Sequence, residues 1–412
     1  MILSRSAVTS IRFAARLLVV GCLALMGPGH GSVASAGFAA TNAAIPESGL
    51  LERLSIMTFD RAKDTISSLG PEERIGLSLA LATIWNQKRE PGVMRSYVNY
   101  AFDEARTNGL KRQEGEIWFY RAQVARNGND LEGSVVLVDK AIQTFAEQGN
   151  LSLQKQSLSF KANTLHIYGK FKDAIRIYEE LRNLADTSGD VFLKVDSMYR
   201  IALLQQQMGE TSVSTESLQG TLRAAEEANY SLGIANCLKV LGISSANAGE
   251  SKTALNYFTK AAELYQKAGD LIGYGNCFFN SGFVWRKTED HERAIACFRE
   301  ALLNFSSAGG LSGVGIAQKE LGRSYFLQKK YPEADVCFTL AEDALNRAQA
   351  KGDLAELETF WGDLCVAQGR KKDAVRRFET SSALYKEVGL PDKAYIQTLN
   401  ILKIQPITRK KE

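Results

Sequence analysis

The small and apolar residues of this chain follow a period of 40 residues. The first column of small residues reads Ala82, Ala122, Ala162, Ala202, Gly242, Gly282, Gly322 and Gly362. Sixteen residues after each of these stands a larger apolar residue: Val98, Val138, Tyr178, Leu218, Phe258, Phe298, Phe338 and Phe378. Further small residues lie four before and three after most members of that second column, a spacing that places them on one helix face. The period therefore predicts about eight repeats, each a pair of antiparallel helices that must stack on its neighbours to bury its apolar face.

Residues that tolerate a left-handed backbone mark the predicted helix ends. The second helix of each repeat is predicted to end near Gly109, Gly149, Gly189, Asn229, Gly269, Gly309 and Gly389. Gln349 breaks this column. Because Gly352 follows three residues later, we expect the second helix of that repeat to run almost one turn further.

One stretch of the repeat region resembles the core pattern of the tetratricopeptide repeat. That stretch contains Leu321, Gly322, Tyr325, Ala334, Phe338 and Ala341. Such repeats usually span about 34 residues. The 40-residue spacing is similar to the long repeats of kinesin light chains and G-protein-signalling modulators, as are the Gly-Asp turns Gly189-Asp190, Gly269-Asp270 and Gly352-Asp353. The resemblance covers roughly residues 72–388. It implies an all-α fold, a right-handed superhelical solenoid of about eight antiparallel helix pairs.

The repeat region is predicted as one domain, residues 71–389, with a capping helix at each end. An apolar stripe that includes Leu54 and Ala62 predicts the N-terminal capping helix within residues 47–70. The C-terminal capping helix is predicted over residues 390–404, and a basic tail follows at 405–412.

The N-terminal segment has the pattern of an export signal. Arg5, Arg12 and Arg16 precede an apolar run at residues 17–26, and residues 34–36 offer a small-residue cleavage site. The apolar run is too short to cross a bilayer, which needs about 20 residues. No transmembrane span is therefore predicted.

These features predict a signal peptide at residues 1–36, a linker at 37–46 and an exported protein, periplasmic or secreted. An organelle transit peptide is the alternative, because no acidic residue precedes Glu47. In that case the protein would reside in an organelle lumen.

The sequence offers little material for catalysis. Its three histidines, His30, His166 and His291, are far apart along the chain, and no zinc-protease, serine-hydrolase or phosphate-loop motif occurs. Cysteine pairs such as Cys237 and Cys277 repeat the same column, which is typical of buried, unbonded thiols. The prediction is a non-enzyme with no cofactor and no metal site.

Net charge argues against nucleic acid as a partner. The formal charge is +4, and removal of the three arginines of the leader would bring it close to neutral. Sequence-independent binding to phosphates depends on concentrated Lys and Arg. No nucleic-acid interface is therefore predicted.

The resemblance implies that the first helix of each repeat lines a concave, ligand-binding face. The densest set of polar residues at the corresponding positions is Asn236, Lys239, Asn276, Asn280, Arg286, Lys319 and Arg323. Asn side chains can both donate to and accept from a peptide backbone, while Lys and Arg bind carboxylates. We therefore expect a peptide-binding groove here. The alternative is that these are simply solvated residues on helix surfaces.

Two of these residues, Asn280 and Lys239, resemble positions of the carboxylate clamp in chaperone-binding members of the family. The remaining clamp positions are occupied by Ile243, Ile316 and Glu320. The sequence thus departs from the pattern that would recognise a C-terminal carboxylate.

The functional hypothesis is a non-enzymatic, exported adaptor that binds an acidic or polar peptide segment of a partner protein in this groove. One alternative is a ligand-responsive sensory or regulatory module acting on a separate effector. Another is an assembly factor imported into an organelle. The sequence makes no prediction about oligomeric state.

Overall fold

The computed structural model of the protein describes residues 48–88 and 90–404. The predicted signal peptide, linker and basic tail lie outside these ranges. Within them the chain forms nineteen α-helices and one short 3₁₀-helix, at Lys111–Gln113. The first ten helices are α1 Ser48–Leu54, α2 Phe59–Ile66, α3 Pro71–Gln87, α4 Pro91–Asn108, α5 Glu114–Asn127, α6 Leu131–Glu147, α7 Leu151–Ile167, α8 Phe171–Thr187, α9 Val191–Gln207 and α10 Thr211–Glu227. The others are α11 Ser231–Asn247, α12 Ser251–Ala268, α13 Leu271–Lys287, α14 His291–Ser307, α15 Leu311–Leu327, α16 Tyr331–Arg347, α17 Lys351–Ala367, α18 Lys371–Glu387 and α19 Pro391–Ile404.

The described chain divides into two compact units. Unit 1 extends to Ala228 and contains α1 to α10, and unit 2 begins at Asn229 and contains α11 to α19. Within each unit, consecutive helices pack against each other in chain order. Four helix pairs, from α3/α4 to α9/α10, fall in unit 1, and four more, from α11/α12 to α17/α18, fall in unit 2. The prediction of an all-α solenoid of about eight helix pairs is therefore confirmed.

The 40-residue column of small residues lies where the two helices of each pair approach closely. In unit 2, a Cβ atom added to any of the four column glycines would lie 2.6–2.7 Å from an aromatic carbon of the second helix. These contacts are Gly242 with Phe258, Gly282 with Phe298, Gly322 with Phe338 and Gly362 with Phe378. The ring of the second helix thus occupies the space that a side chain on the first helix would need.

Helix ends follow the predicted glycine column, with one correction. Gln349 adopts a left-handed backbone with φ of 56°, as Gly309 does at the equivalent position with φ of 69°. The second helix therefore ends at Arg347, and Gly352 lies within the next helix. The expected extra turn was wrong. Stacking of the repeats fixes the helix length, so Gln349 takes a conformation that costs an L-residue about 1 kcal/mol.

The N-terminal cap consists of two short helices, where the sequence pattern predicted one. Helices α1 and α2 are separated by a break, and the carbonyl of Ser55 there accepts a hydrogen bond of 2.6 Å from Lys88 Nζ. Leu54 and Ile66 are buried in the core of the first helix pair. At the other end, α19 lies within the segment predicted as the C-terminal capping helix.

Candidate functional site

The seven residues predicted to line the groove all lie on first helices of unit 2. Asn236 and Lys239 are on α11, Asn276, Asn280 and Arg286 are on α13, and Lys319 and Arg323 are on α15. The structure separates them into residues that remain accessible and residues whose charges are satisfied inside the fold.

Two of these residues, Asn236 and Lys239 on α11, contact the side chain of Tyr265. Tyr265 is buried on α12, and its hydroxyl donates a 2.6 Å hydrogen bond to Asn236 Oδ1. The ammonium of Lys239 lies 5.5 Å from the centroid of the same ring. Tyr265 therefore fixes the orientation of the Asn236 amide, so that its NH₂ group is directed as a donor.

Lys319 is not at an accessible surface. Its side chain is 2% exposed, and its ammonium lies 3.1 Å from Asp353 Oδ1 and 2.5 Å from Glu356 Oε2 on α17. Burial alone lowers the pKa of Lys319, but the hydrogen bond and charge of Glu356, together with the charge of Asp353, raise it overall. The prediction that Lys319 faces a ligand is thus corrected: its charge joins α15 to α17.

Arg286 has a similar internal role between α13 and α15. Its guanidinium donates a hydrogen bond to Glu320, and the two side chains are only 10% and 5% exposed. The same guanidinium lies 4.7 Å from the ring centroid of Phe283 and 5.6 Å from that of Phe298. Glu320, which departs from the clamp pattern, is therefore the acceptor that neutralises a buried arginine.

Arg323 remains accessible, with 39% of its side chain exposed. Its guanidinium carbon lies 4.4 Å from the ring centroid of Phe360 on α17, and its Nη1 lies 4.0 Å from Glu320 Oε2. Burial and the nearby charge of Arg286 lower the pKa of Arg323, against opposite contributions from Glu320 and other carboxylates. The ring and the carboxylate hold the guanidinium in place while leaving donors open to a ligand.

Asn276 and Asn280 are half-buried on α13, and neither side chain forms a hydrogen bond with any residue that the structure describes. An amide carries two donors and one acceptor oxygen, which match the groups of a peptide backbone. Half-buried Ile316 on α15 and Phe360 on α17 add apolar surface to the same set of first helices. The arrangement can therefore bind a peptide through its backbone, with Arg323 available for a carboxylate.

A second charged cluster joins the last two helix pairs. Arg377 Nη1 on α18 donates to both oxygens of buried Glu358, at 2.9 and 3.1 Å, and to Glu342 Oε1 at 2.9 Å. The guanidinium carbon lies 3.5 Å from the ring centroid of Trp361. Burial raises the pKa of Glu358 to about 7, although Arg377 lowers it. Glu358 and Arg377 are largely shielded from solvent, and the cluster contributes to packing.

Sequence reasoning missed these internal ion pairs, although the sequence contains a signal for them. Most of the oppositely charged partners lie 34 to 37 residues apart, slightly less than one repeat, whereas Arg377 and Glu358 lie 19 residues apart. Examples are Arg286 with Glu320, Lys319 with Asp353 and with Glu356, and Arg377 with Glu342. This spacing alone does not separate structural cations from accessible ones, because the accessible Arg323 also has an acidic residue, Glu358, 35 residues later.

The cysteines behave as predicted from their columns. The described cysteines, Cys237, Cys277, Cys297, Cys337 and Cys365, are free thiols, and all but half-buried Cys297 are buried. Burial raises the pKa of Cys277 to about 12.

Over residues 48–88 and 90–404, no cluster of three or more metal-ligating side chains occurs. None of the helices described there has the length and apolar character needed to span a bilayer.

Comparison with known proteins agrees with this fold. The chain is similar in fold to tetratricopeptide-like repeat proteins, as the sequence resemblance predicted. Its residues 246–390 match the family model of the soluble NSF attachment protein, SNAP. No curated protein matches the chain by sequence.

Two solved structures have the same kind of helical array. The apo form of RapI is similar with a TM-score of 0.51 and 14% identity, over 67% of this chain and 99% of that one. The apo form of the quorum sensor NprR from B. thuringiensis is similar with a TM-score of 0.50 and 13% identity, over 86% of this chain and 97% of that one. At such identities the similarity shows the fold.

Proposed function

We propose that this protein is a non-enzymatic adaptor that binds an acidic or polar segment of a partner protein on the first helices of unit 2. The observation that carries the proposal is the contrast among the polar residues of α13 and α15. Lys319 and Arg286 are neutralised by carboxylates of the chain itself. Asn276, Asn280 and Arg323 keep accessible hydrogen-bonding groups.

Arg323 is the residue that gives the groove its preference for acidic segments. An exposed guanidinium packed on an aromatic ring loses little side-chain entropy when it binds a carboxylate. The carboxylate of Glu320 already forms an ion pair with Arg286, so it offsets only part of the positive charge of Arg323. A carboxylate on the ligand completes the hydrogen bonding that Glu320, at 4.0 Å, does not provide.

The three asparagines of the groove, Asn236, Asn276 and Asn280, supply recognition of the peptide backbone. Asn236 and Asn276 are one 40-residue period apart, so they occupy equivalent positions on α11 and α13. Side-chain amides on successive first helices can bind successive peptide groups of an extended segment. Apolar side chains of the segment would contact Ile243, Ile316 and Phe360, which are partly exposed on α11, α15 and α17.

The experiment is capture of partners by the full chain and by the variant Asn280→Ala/Arg323→Ala. We expect a dissociation constant near 1 μM for the parent, which corresponds to about 8 kcal/mol, and at least tenfold weaker binding by the variant. The matched control is Asn256→Ala/Arg376→Ala, which removes the same side-chain types from exposed positions on second helices of unit 2. Equal capture by the groove variant and the parent rejects the site.

We also propose that the protein acts after export. The proposal is supported by the arrangement of Arg5, Arg12 and Arg16 before the apolar run at residues 17–26. Fusion of residues 1–46 to a reporter, followed by determination of the reporter's location and N-terminus, tests it. Cleavage after Ala36 with the reporter outside the cytoplasm is expected. Import into an organelle favours the transit-peptide alternative, and an uncleaved cytoplasmic reporter contradicts both.

A further inference from the structure

Helix α19 occupies the place of a first helix in a ninth repeat. It begins at Pro391, 40 residues after α17 begins at Lys351. The position that is Ala or Gly in all eight helix pairs is Leu402 in α19. In unit 2, even a Cβ atom at this position would lie 2.6–2.7 Å from the aromatic ring of the second helix. A second helix of the kind found in the other pairs of unit 2 therefore cannot pack on α19.

The face of α19 that no second helix covers within the described residues is apolar. Tyr395, Ile396, Leu399 and Leu402 are 64%, 52%, 40% and 37% exposed, whereas Ala394 and Gln397 on the opposite side are buried. With 3.6 residues per turn, the four exposed residues lie within about 60° of Leu399 around the helix axis. They form one continuous stripe along α19, which we call the α19 stripe.

The N-terminal cap is different, because the exposed side of α2 is polar. Its exposed residues include Asp60, Arg61, Lys63 and Asp64. Terminal repeats of a solenoid need a polar outer face to remain soluble as single chains. The α19 stripe lacks this property, which indicates that another surface covers it.

Charged residues at the two ends of the α19 stripe indicate which surface covers it. Asp392 lies in the first turn of α19 and Lys403 in the last turn, and both are exposed. At 100° per residue, both lie within about 40° of Leu399, so each charge flanks the α19 stripe. Neither forms an ion pair within 4 Å with a residue in the described part of the chain. Lys403 also lies within electrostatic reach of Asp363 on α17.

We propose that α19 packs antiparallel against α19 of a second copy of this chain, related by two-fold symmetry. An antiparallel arrangement places Asp392 of each copy opposite Lys403 of the other, whereas a parallel one places like charges together. The second helix of each repeat runs antiparallel to the first, as α19 of the second copy does in this arrangement. A 14-residue helix is about 21 Å long. Because this contact is smaller than typical stable interfaces, the dimer is weak, with a dissociation constant of about 1 to 100 μM.

Sedimentation equilibrium of the full chain, from about 1 μM to about 500 μM so as to bracket that constant, tests the proposal. We expect the parent to pass from monomer to dimer and Leu399→Glu to dimerise at least tenfold more weakly. The matched control is Val336→Glu, an equally apolar-to-acidic change at a 61% exposed position on α16, which should dimerise as the parent does. Circular dichroism checks that helicity is unchanged in both variants.

A charge exchange tests the antiparallel register. Asp392→Lys alone should weaken the dimer, and Asp392→Lys/Lys403→Asp should restore it, because each reversed charge again meets its opposite. A parent that stays monomeric up to about 500 μM overturns the proposal, including the case in which it binds lipid vesicles or another protein instead. A dimer that Leu399→Glu leaves unchanged also overturns it. The outcome is independent of the proposed groove, whose residues lie on α11, α13 and α15.

Discussion

Units 1 and 2 pack the two helices of a repeat with different pairs of residues at the same positions. In unit 1 the small column is alanine, and it is followed by Val98, Val138, Tyr178 and Leu218. In unit 2 the small column is glycine, and the following column is phenylalanine in all four pairs. A smaller residue on the first helix thus accompanies a larger one on the second, with Tyr178 as the exception. The contrast indicates that a smaller residue on the first helix leaves room for a larger one on the second helix at this contact.

The second small column shows a related difference. In unit 1, Ser134 Oγ donates a 2.9 Å hydrogen bond to the carbonyl of Ala122, and Ser214 Oγ donates a 2.8 Å bond to the carbonyl of Ala202. In unit 2 the column is alanine throughout, from Ala254 to Ala374. Unit 1 thus adds polar contacts between helices where unit 2 relies on a larger aromatic surface.

The largest expected effect comes from removing the aromatic ring. Phe298 is fully buried and packs edge-on against Phe279 and Phe283, with ring centroids 5.6 Å apart in each case. Phe298→Ala should lower the free energy of unfolding by about 3 to 5 kcal/mol. Val138→Ala in unit 1 should lower it by only about 2 kcal/mol, because two buried carbons are lost. Chemical denaturation of both variants measures the difference, and equal losses would refute the volume argument.

A second prediction concerns the small column itself. Gly282→Ala should destabilise the protein by about 1 to 3 kcal/mol, because the new Cβ atom would lie 2.7 Å from the ring of Phe298. In a protein that already carries Phe298→Leu, the Gly282→Ala substitution should be nearly neutral. That background lacks the ring carbons that the new Cβ atom would meet. Thermal unfolding of the two single variants and the double variant gives the coupling energy. Simple additivity of the two changes would argue against direct contact.

A third prediction uses two glutamates, half-buried Glu116 in unit 1 and buried Glu358 in unit 2. Burial raises the pKa of Glu116 in unit 1 to about 7, against a smaller opposite effect of Arg112, and it raises the pKa of Glu358 in unit 2 to about 7 despite Arg377. For both, the folded pKa exceeds the unfolded value near 4.5. Their contribution to stability is therefore fully present below about pH 4.5 and is lost as the pH rises through about 7.

The measurement is thermal unfolding between about pH 5 and about pH 8, the interval over which the two pKa shifts act. Glu116→Gln should flatten the decline in stability, because the amide has no proton to lose. Glu358→Gln should also flatten it, but with a lower stability throughout, since Arg377 then keeps only Glu342 as a charged partner and a buried cation loses part of its compensation. A steeper decline in Glu116→Gln than in the parent would contradict the assignment.

The smallest expected effect concerns the left-handed residues at helix ends. Gln349 has φ of 56°, whereas Gly309 at the equivalent position carries no side-chain penalty. Gln349→Gly should stabilise the protein by about 0.5 to 1 kcal/mol, because relief of backbone strain exceeds the added freedom of the unfolded chain. Gly309→Gln should have the opposite sign. Denaturation midpoints measure both changes. A destabilised Gln349→Gly variant would contradict the claim that the backbone at Gln349 is strained.

Much of the fold could be predicted because the period acts through local steric rules. Gly322 and Phe338 lie at matching positions in a helix pair, so their sizes alone indicate that they touch. The helix end at Gln349 could not be predicted from its own preference, since stacking of whole repeats overrides the preference of one residue for a right-handed backbone. The break between α1 and α2 was missed because the apolar stripe continues across it.

The candidate site was predicted less completely than the fold. The sequence placed all seven residues on first helices, and the structure agrees. It could not show that Lys319 and Arg286 are neutralised within the chain, because their partners, among them Asp353 and Glu320, come from the next repeat. Periodicity indicates which helix face a residue occupies, whereas pairing depends on contacts between helices.

Peptide selection tests the central claim, that the accessible polar residues of α13 and α15 bind an acidic or polar segment. A random-peptide display library would be selected on the full chain, and the best peptides would be titrated by calorimetry into the parent, Asn280→Ala/Arg323→Ala and the control Asn256→Ala/Arg376→Ala. We predict peptides that contain Asp or Glu, a dissociation constant near 1 μM for parent and control, and at least tenfold weaker binding to the groove variant. Selection of peptides that are neither acidic nor polar, or equal affinity for all three proteins, would contradict the account.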